Sequence, residues 1–400
     1  MPFDFSALRR FPDVEAPNLQ AWDATDELLV RWALESGIPG EQIAVIGDEY
    51  GAITLALADA GLTGIRVHQD LVTGRRALAN NTVALGLAYR ITDAGEPVRR
   101  VEPGHAAHAE AHPGSDTAFT AHELDPTLLQ GARLVLLQLP KALAELEEIA
   151  DAVARWAMPD VTLIAGGRVK HMTLAQNEVL ARSFGSVQPQ RAERKSRLIR
   201  ASEPLAVPEE PPFPASRTHD GLTLCAFGGA FAGARLDIGT RVLLDAVRRL
   251  SLPVLEPRVV DLGCGTGALA AAFALTHPHA IVTATDRSAS AVRSARATMR
   301  ANGLEGRVDV TLDDAGSELP EGGFDLILLN PPFHLGASVH EGAGRRLIQA
   351  AARLTRPGGE VWTVFNSHLD HRRALTRDVG VTEQSVRTPK FTVTRSIRRG

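Results

Sequence analysis

Val259-Val-Asp-Leu-Gly-Cys-Gly-Thr-Gly-Ala-Leu-Ala, residues 259–270, is the stretch that decides the fold. A short apolar run meets glycines at alternate positions, Gly263, Gly265 and Gly267, and an alanine- and leucine-rich run follows. Glycine is needed where backbone turns at positive φ or approaches a ligand closely. The pattern reads as a buried strand, a tight loop and a helix. In α/β proteins such a loop lines a crevice outside the carboxyl ends of a parallel sheet.

The signals on either side agree. Residues 280–286 form a second strand, and Ser288 can cap the helix after it. Residues 325–329 and 361–365 are further buried strands with a helix over 340–354 between them, and 383–387 can pair antiparallel with 391–396. Apolar strands alternating with helices predict an α/β fold, its sheet covered on both faces.

The first half repeats this plan. Ile43-Ala-Val-Ile-Gly-Asp-Glu-Tyr-Gly-Ala aligns with the deciding stretch when Gly51 is set on Gly267, and Leu134-Val-Leu-Leu-Gln-Leu aligns with Leu326-Ile-Leu-Leu-Asn-Pro. The register implies an insertion in the first copy, placed at the His-, Ala- and Gly-rich stretch 103–117. Its His105, His108 and His112 read as part of a polar loop, and no metal is expected. Five prolines fall within residues 203–214, so 203–217 is read as a linker. The expected domains are therefore 1–202 and 218–400.

Composition allows a globular protein and little else that is special. Of 400 residues, 44% are hydrophobic and 22% charged, which suits two ordinary cores. No apolar run nears the ~20 residues that span a bilayer, and the N-terminus has no apolar signal core, so a cytoplasmic protein is expected. Two cysteines, Cys225 and Cys264, give no disulfide framework. The net charge of −4 divides unevenly: residues 218–400 carry 22 Lys+Arg against 18 Asp+Glu. A positive second half points weakly to nucleic acid.

Asp261 chooses among cofactors for the loop. A pyrophosphate would sit poorly beside a carboxylate, whereas the ammonium group of S-adenosylmethionine would sit well. Asp286, ending the next strand, can accept ribose hydroxyls. Asp314 with Ala315 can hold an adenine, and Asp313 is the rival to Asp314. Thr266 in the loop and Arg287 after Asp286 complete the expected cofactor set with Asn330.

Asn330-Pro331-Pro332-Phe333 follows the strand 325–329. An aryl amine is a poor nucleophile because its lone pair is delocalised. The side-chain oxygen of Asn330 and the carbonyl of Pro331 can accept its two N–H bonds and aim the nitrogen at a sulfonium methyl. Pro331 and Pro332 stiffen that edge, and Phe333 can stack on the base. No base need remove a proton before attack, so catalysis rests on alignment, which supplies ~7–11 kcal/mol in well-oriented systems.

At these residues the chain resembles class I amino-methyltransferases with the Asn-Pro-Pro-Phe signature. Leu236-Asp-Ile-Gly-Thr-Arg, His334, Asn366-Ser-His-Leu and Pro389-Lys-Phe-Thr-Val narrow the likeness to the bacterial ribosomal RNA guanine-N2 methyltransferases. Leu8-Arg-Arg-Phe-Pro, Leu19-Gln-Ala-Trp-Asp-Ala-Thr-Asp and Gly47-Asp-Glu-Tyr-Gly-Ala are similar to the subfamily acting on 23S RNA, rather than to the one acting on 16S RNA. Two departures, at Ala232-Gly233 and at Ser367, each remove a positive charge found in that subfamily.

The resemblance implies two tandem Rossmann-like methyltransferase domains, the first degenerate, the second with a seven-stranded mostly parallel sheet. It implies S-adenosylmethionine as cofactor, guanine N2 of 23S rather than 16S ribosomal RNA as acceptor, and a monomer. Substrate contacts are expected from Phe333, His334, Arg235, Asn366, Lys390 and Phe391. The first domain has Val45 for Asp261, Glu49 for Gly265 and Gln138-Leu139 for Asn330-Pro331, so it is expected to bind no cofactor and to serve as RNA platform or scaffold. Basic runs at Arg191, Arg194, Lys195, Arg197 and Arg200, and at Arg372, Arg373, Arg377, Arg395, Arg398 and Arg399, read as solvated faces, with phosphate contact as the alternative beside an enzyme that grips RNA. The rivals are another planar acceptor, such as adenine N6 or a protein glutamine, and a non-enzymatic RNA-binding protein.

Overall fold

The structure is a computed structural model that describes residues 3–87, 118–248, 250, 252–331, 344–369 and 371–400, and the backbone alone at 101–102, 105–106 and 338–343. The histidine-rich stretch thus falls largely outside the described residues. The chain divides into two compact units, Met1–Pro212 and Phe213–Gly400.

In the first unit the strands are β1 (Ile43–Ile46), β2 (Ile65–His68), the two-residue pair β3 (Val101–Glu102) and β4 (His105–Ala106), β5 (Phe119–Ala121), β6 (Leu134–Gln138), β7 (Thr162–Arg168), β8 (Phe184–Pro189) and β9 (Ser196–Pro204). The helices are α1 (Ala24–Ser36), α2 (Ala52–Asp59), α3 (Val72–Ala84), α4 (Pro126–Leu129), α5 (Leu143–Trp156) and α6 (Leu174–Leu180). The main sheet has the order β5-β2-β1-β6-β7-β9-β8.

The second unit opens with the hairpin β10 (Ala215–His219) and β11 (Leu222–Ala226), then α7 (Ile238–Val247). It continues through β12 (Arg258–Leu262), α8 (Ala268–Thr276), β13 (Ile281–Asp286), α9 (Ala289–Ala301), β14 (Val308–Leu312), β15 (Phe324–Leu329), α10 (Ser338–Leu354), β16 (Thr355–Asn366), α11 (His371–Asp378), β17 (Gly380–Arg387) and β18 (Phe391–Arg398). The sheet order is β14-β13-β12-β15-β16-β18-β17, strand for strand that of the first unit. The five strands from β14 to β16 are parallel, and β18 and β17 close the edge antiparallel.

Sequence explains the parallel middle. β15 is buried at every position, as expected of a strand covered on both faces. α8 is apolar around most of its circumference and buries Leu269, Phe273 and Ala274 in one cluster with Val259 and Val282. Ser288 caps α9 by accepting from the Ala291 N–H, as read from the sequence. The proline-rich stretch is shorter as a connection than its composition suggests: β9 runs into Pro204 and β10 begins at Ala215.

Candidate functional site

Parallel register gathers the motifs at one edge. Leu262 pairs with Thr285 on one side and with Leu329 on the other, and Asp286 pairs with Leu312. Gly263, Asp286, Asp313 and Asn330 therefore leave or end four adjacent strands at their carboxyl ends, where α/β folds place ligands.

The glycine loop is held by the neighbouring strand. The Gly263 and Cys264 N–H groups donate to the Thr285 carbonyl, and Gly263, Gly265 and Gly267 all have positive φ. Two of them serve different ends. A Cβ on Gly267 would come within 2.8 Å of the Met299 side chain and 3.0 Å of Ala295, so this glycine lets α8 pack on α9. A Cβ on Gly265 would meet nothing within 4 Å, so this glycine leaves a cradle.

Asp261 is buried, 1% exposed. Its Oδ2 accepts from the Ala270 N–H at 2.9 Å, capping α8, and its Oδ1 has no partner among the described residues. Burial pushes its carboxyl up to about 7, with repulsion from Asp286 adding and the Ala270 hydrogen bond opposing. An orphaned buried carboxylate oxygen beside an open glycine cradle fits an ammonium ligand. Thr266 is buried in the loop, and Arg287 is half-buried after Asp286.

The other two acids differ from each other. Asp286 accepts from the Gly265 N–H at 2.9 Å and the Ser288 N–H at 3.0 Å, so it holds the loop as well as ending β13. Asp313 accepts from the Ser317 hydroxyl and the Glu318 N–H, which ties it to its own turn. Asp314 is ion-paired with Arg346 of α10, a residue given no role by the sequence. Ala315 sits at φ +53°, an uncommon conformation for a residue with a Cβ.

Asn330 is half-buried, with Pro331 buried beside it. Its amide nitrogen donates to the Thr240 hydroxyl at 2.9 Å and to Oδ2 of Asp237 at 3.3 Å. Both partners lie in the first turn of α7, where Asp237 is the N-cap. An ideal Cβ on Gly239 would stand 3.0 Å from Oδ2 of Asp237, 3.2 Å from the Phe391 ring and 3.5 Å from Oδ1 of Asn330. Phe391 thus joins Asn330 around this turn, and register pairs Phe391 with Asn366. Arg235 and Lys390 are exposed nearby in sequence to that turn and to Phe391. Pro332, Phe333 and His334 lie outside the described residues. Asp237, Gly239 and Thr240 are the site residues whose roles the sequence reading left blank. An N-cap aspartate with threonine three positions on was the available signal.

The first unit handles the same positions differently. Asp48 accepts from the Ile53 and Thr54 N–H groups, so a carboxylate still caps the helix from a shifted position while Val45 stands where Asp261 does. Glu49 stands at the position of Gly265, its carboxyl raised by burial, and its neighbour Tyr50 is buried. The Tyr50 hydroxyl donates to Asp13 at 2.9 Å, the Arg10 guanidinium lies 4.5 Å from the ring centre, and the Asn81 side chain donates to the carbonyls of Arg9 and Tyr50. The N-terminal segment is thereby stitched over the loop.

Of the basic runs, Arg194 pairs with Glu27, which removes it as uncompensated charge. Arg395 pairs with Glu360 and Arg377 with Asp378. Arg372, Arg373, Thr376, Arg377 and Arg399 line a surface hollow of about 610 Å³. Among the described residues no three His, Cys, Asp or Glu form a metal-binding group, and no helix is long and apolar enough to cross a membrane.

Comparison with known proteins matches both halves. Residues 1–100 and 107–205 match the family described as RLMG N-terminal domain, and residues 221–395 match Methyltransferase small domain. A protein of Streptomyces avermitilis named ribosomal RNA large subunit methyltransferase G is 33% identical, covering 100% of this chain and 98% of its own. One of Stutzerimonas stutzeri with the same name is 33% identical over 99% of this chain and 98% of its own. Among solved structures, a T. thermophilus 16S rRNA N2 methyltransferase (RsmC), in complex with AdoMet and guanosine, covers 96% of this chain and 97% of its own at a TM-score of 0.70 and 20% identity, which establishes the shared two-unit fold. Identity of one third along the entire length, with both family models in order, is what common descent leaves behind: the chain belongs to the ribosomal RNA large subunit methyltransferase G family.

Proposed function

We propose that the second unit transfers a methyl group from S-adenosylmethionine to the exocyclic N2 amine of a guanine in ribosomal RNA, and that the RNA is 23S. The relatives' names supply the large-subunit RNA. One observation carries the chemistry: Asn330 commits its amide nitrogen to α7 and so leaves Oδ1 as the acceptor of that side chain, one strand from the glycine loop. An acceptor-only edge there recognises a flat NH2 group.

The residues divide the work. Oδ1 of Asn330 and the Pro331 carbonyl take the two N–H bonds and orient the nitrogen lone pair. Asp261, Gly263, Gly265, Thr266, Gly267, Asp286, Arg287, Asp314 and Ala315 would hold S-adenosylmethionine, which supplies an electrophilic methyl when bound. Asp314 is preferred over Asp313 for the adenine, because both Asp313 oxygens are taken by its own turn, through Ser317 and Glu318, whereas the Asp314 partner is a side chain of α10, Arg346. Phe333, His334, Arg235, Asn366, Lys390 and Phe391 would receive the base. A guanine in structured RNA must be splayed or flipped out to reach them. The first unit, with Val45 in place of Asp261 and Tyr50 held by Arg10 and Asp13, serves as platform or scaffold.

The test is methyl transfer from labelled S-adenosylmethionine to transcribed, unmodified 23S and 16S RNA, followed by nucleoside analysis. N2-methylguanosine in 23S RNA alone is expected. Label in 16S RNA, in N6-methyladenosine or in protein would replace the acceptor. Asn330→Ala should abolish transfer with S-adenosylmethionine affinity within about threefold, because alignment and not cofactor binding is lost.

A further inference from the structure

An asparagine amide is useful to this chemistry in only one of its two orientations. With oxygen outward it accepts from an amine; flipped, it presents a second donor to a donor and repels it. Something must fix the flip, and the backbone does not, because the two orientations differ by a half-turn about one side-chain bond.

The fixing groups are on α7. Thr240, a buried residue, accepts through its hydroxyl from Nδ2 of Asn330 at 2.9 Å, and Oδ2 of Asp237 accepts from the same nitrogen at 3.3 Å. A hydroxyl can accept or donate, so Thr240 alone would tolerate either flip. A carboxylate only accepts, so Asp237 selects the nitrogen. Asp237 is in turn held as the helix cap, its Oδ2 also accepting from the Thr240 N–H at 3.2 Å.

The first unit contains the same tie. Gln138 stands at the position equivalent to Asn330, and its Nε2 donates to Oδ1 of Asp26. Asp26 is the third residue of α1, as Thr240 is of α7, and Asp23 caps α1 as Asp237 caps α7. The duplicated fold therefore supplies a helix turn that clasps an amide at the end of the central strand. In the second unit the oxygen left over by that clasp is the one that chemistry can use.

We infer that Asp237 and Thr240 are positioning residues for methyl transfer, locking the Asn330 amide with its oxygen toward the acceptor amine. This rests on the role proposed for Asn330. The experiment uses the full chain, transcribed 23S RNA and S-adenosylmethionine. Asp237→Asn keeps a competent cap but can donate to a flipped amide. It should lower kcat about thirtyfold or more, with S-adenosylmethionine affinity and melting temperature near those of the unaltered protein. Thr240→Val should lower kcat about tenfold, while Thr240→Ser, which keeps the hydroxyl, stays within about threefold of the unaltered rate. Full kcat in both Asp237→Asn and Thr240→Val, with Asn330→Ala inactive, would overturn the positioning role and leave the reaction intact. An active Asn330→Ala would overturn both. Equal loss in Thr240→Ser and Thr240→Val would assign Thr240 to packing and overturn its part.

Discussion

Leu262 and Leu329 sit opposite one another in the parallel pair β12–β15. The residues that follow them, Gly263 and Asn330, therefore leave the sheet side by side although 67 positions separate them in the chain. The glycine loop and the Asn330–Pro331 edge are brought together by register, and the consequences can be tested one at a time.

The first concerns Asp261. Its folded carboxyl titrates at about 7, well above its ordinary range, so its ionisation opposes folding: stability is full at low pH and falls as pH rises from about 4 through 7. A bound ammonium group favours the charged form. Binding of S-adenosylmethionine should then release protons at pH 6–7 and tighten as pH rises through that window. Calorimetry in buffers of differing ionisation heat measures the release. Asp261→Asn should weaken binding at least tenfold and abolish the proton release; an unchanged release would place the linked group elsewhere.

A second prediction contrasts two glycines of one loop. Gly267→Ala meets Met299 and Ala295 as well as positive φ, and should destabilise the second unit by roughly 2–4 kcal/mol. Gly265→Ala meets open space and should cost only about 1–2 kcal/mol for its left-handed backbone. Yet Gly265→Ala should be the more harmful to cofactor affinity. Denaturant unfolding and equilibrium binding on both variants decide whether packing and cradle are separate.

The site was only partly legible in the sequence, and the division has a physical basis. Strands such as 325–329 announce themselves because burial on both faces requires an unbroken apolar run, and the glycine loop because few residues tolerate positive φ. The Asn330–Thr240 contact spans 90 positions and depends on where α7 packs, which no local pattern encodes. Asp313 and Asp314 are adjacent acids, and their different partners, the Ser317 hydroxyl and Glu318 N–H for one and Arg346 for the other, come from a turn and a helix that no local pattern encodes. Arg194 read as free positive charge because its partner Glu27 is 167 positions away.

Gly239 supplies the third prediction. A side chain there would press on the Phe391 ring and the Asp237 carboxylate together. Gly239→Ala should reduce kcat more than tenfold with a small change in melting temperature. A rate within about threefold of the unaltered protein would mean that the turn accommodates the new methyl without moving the ring or the carboxylate.

The fourth concerns phosphate. Arg372 and Arg373 line the hollow with Arg399, and the pair should contribute to RNA binding without sequence preference. The double variant Arg372→Gln, Arg373→Gln should weaken RNA binding and lower the slope of log K against log salt by about one to two, leaving S-adenosylmethionine affinity unchanged. A slope identical to that of the unaltered protein would move the phosphate track to another face.

Tyr50 has an evolutionary corollary. Its ring and hydroxyl are engaged by Arg10 and Asp13, and the carboxylate that caps the following helix has migrated to Asp48. Restoring an acid at Val45 would therefore set a second buried negative group beside one already satisfied, and cutting away the leading segment would strip a hydrophobic lid from a floor built for it. Each alteration makes the other harder to reverse. A single substitution would therefore not give that loop the buried carboxylate with an unpartnered oxygen that Asp261 supplies in the twin half.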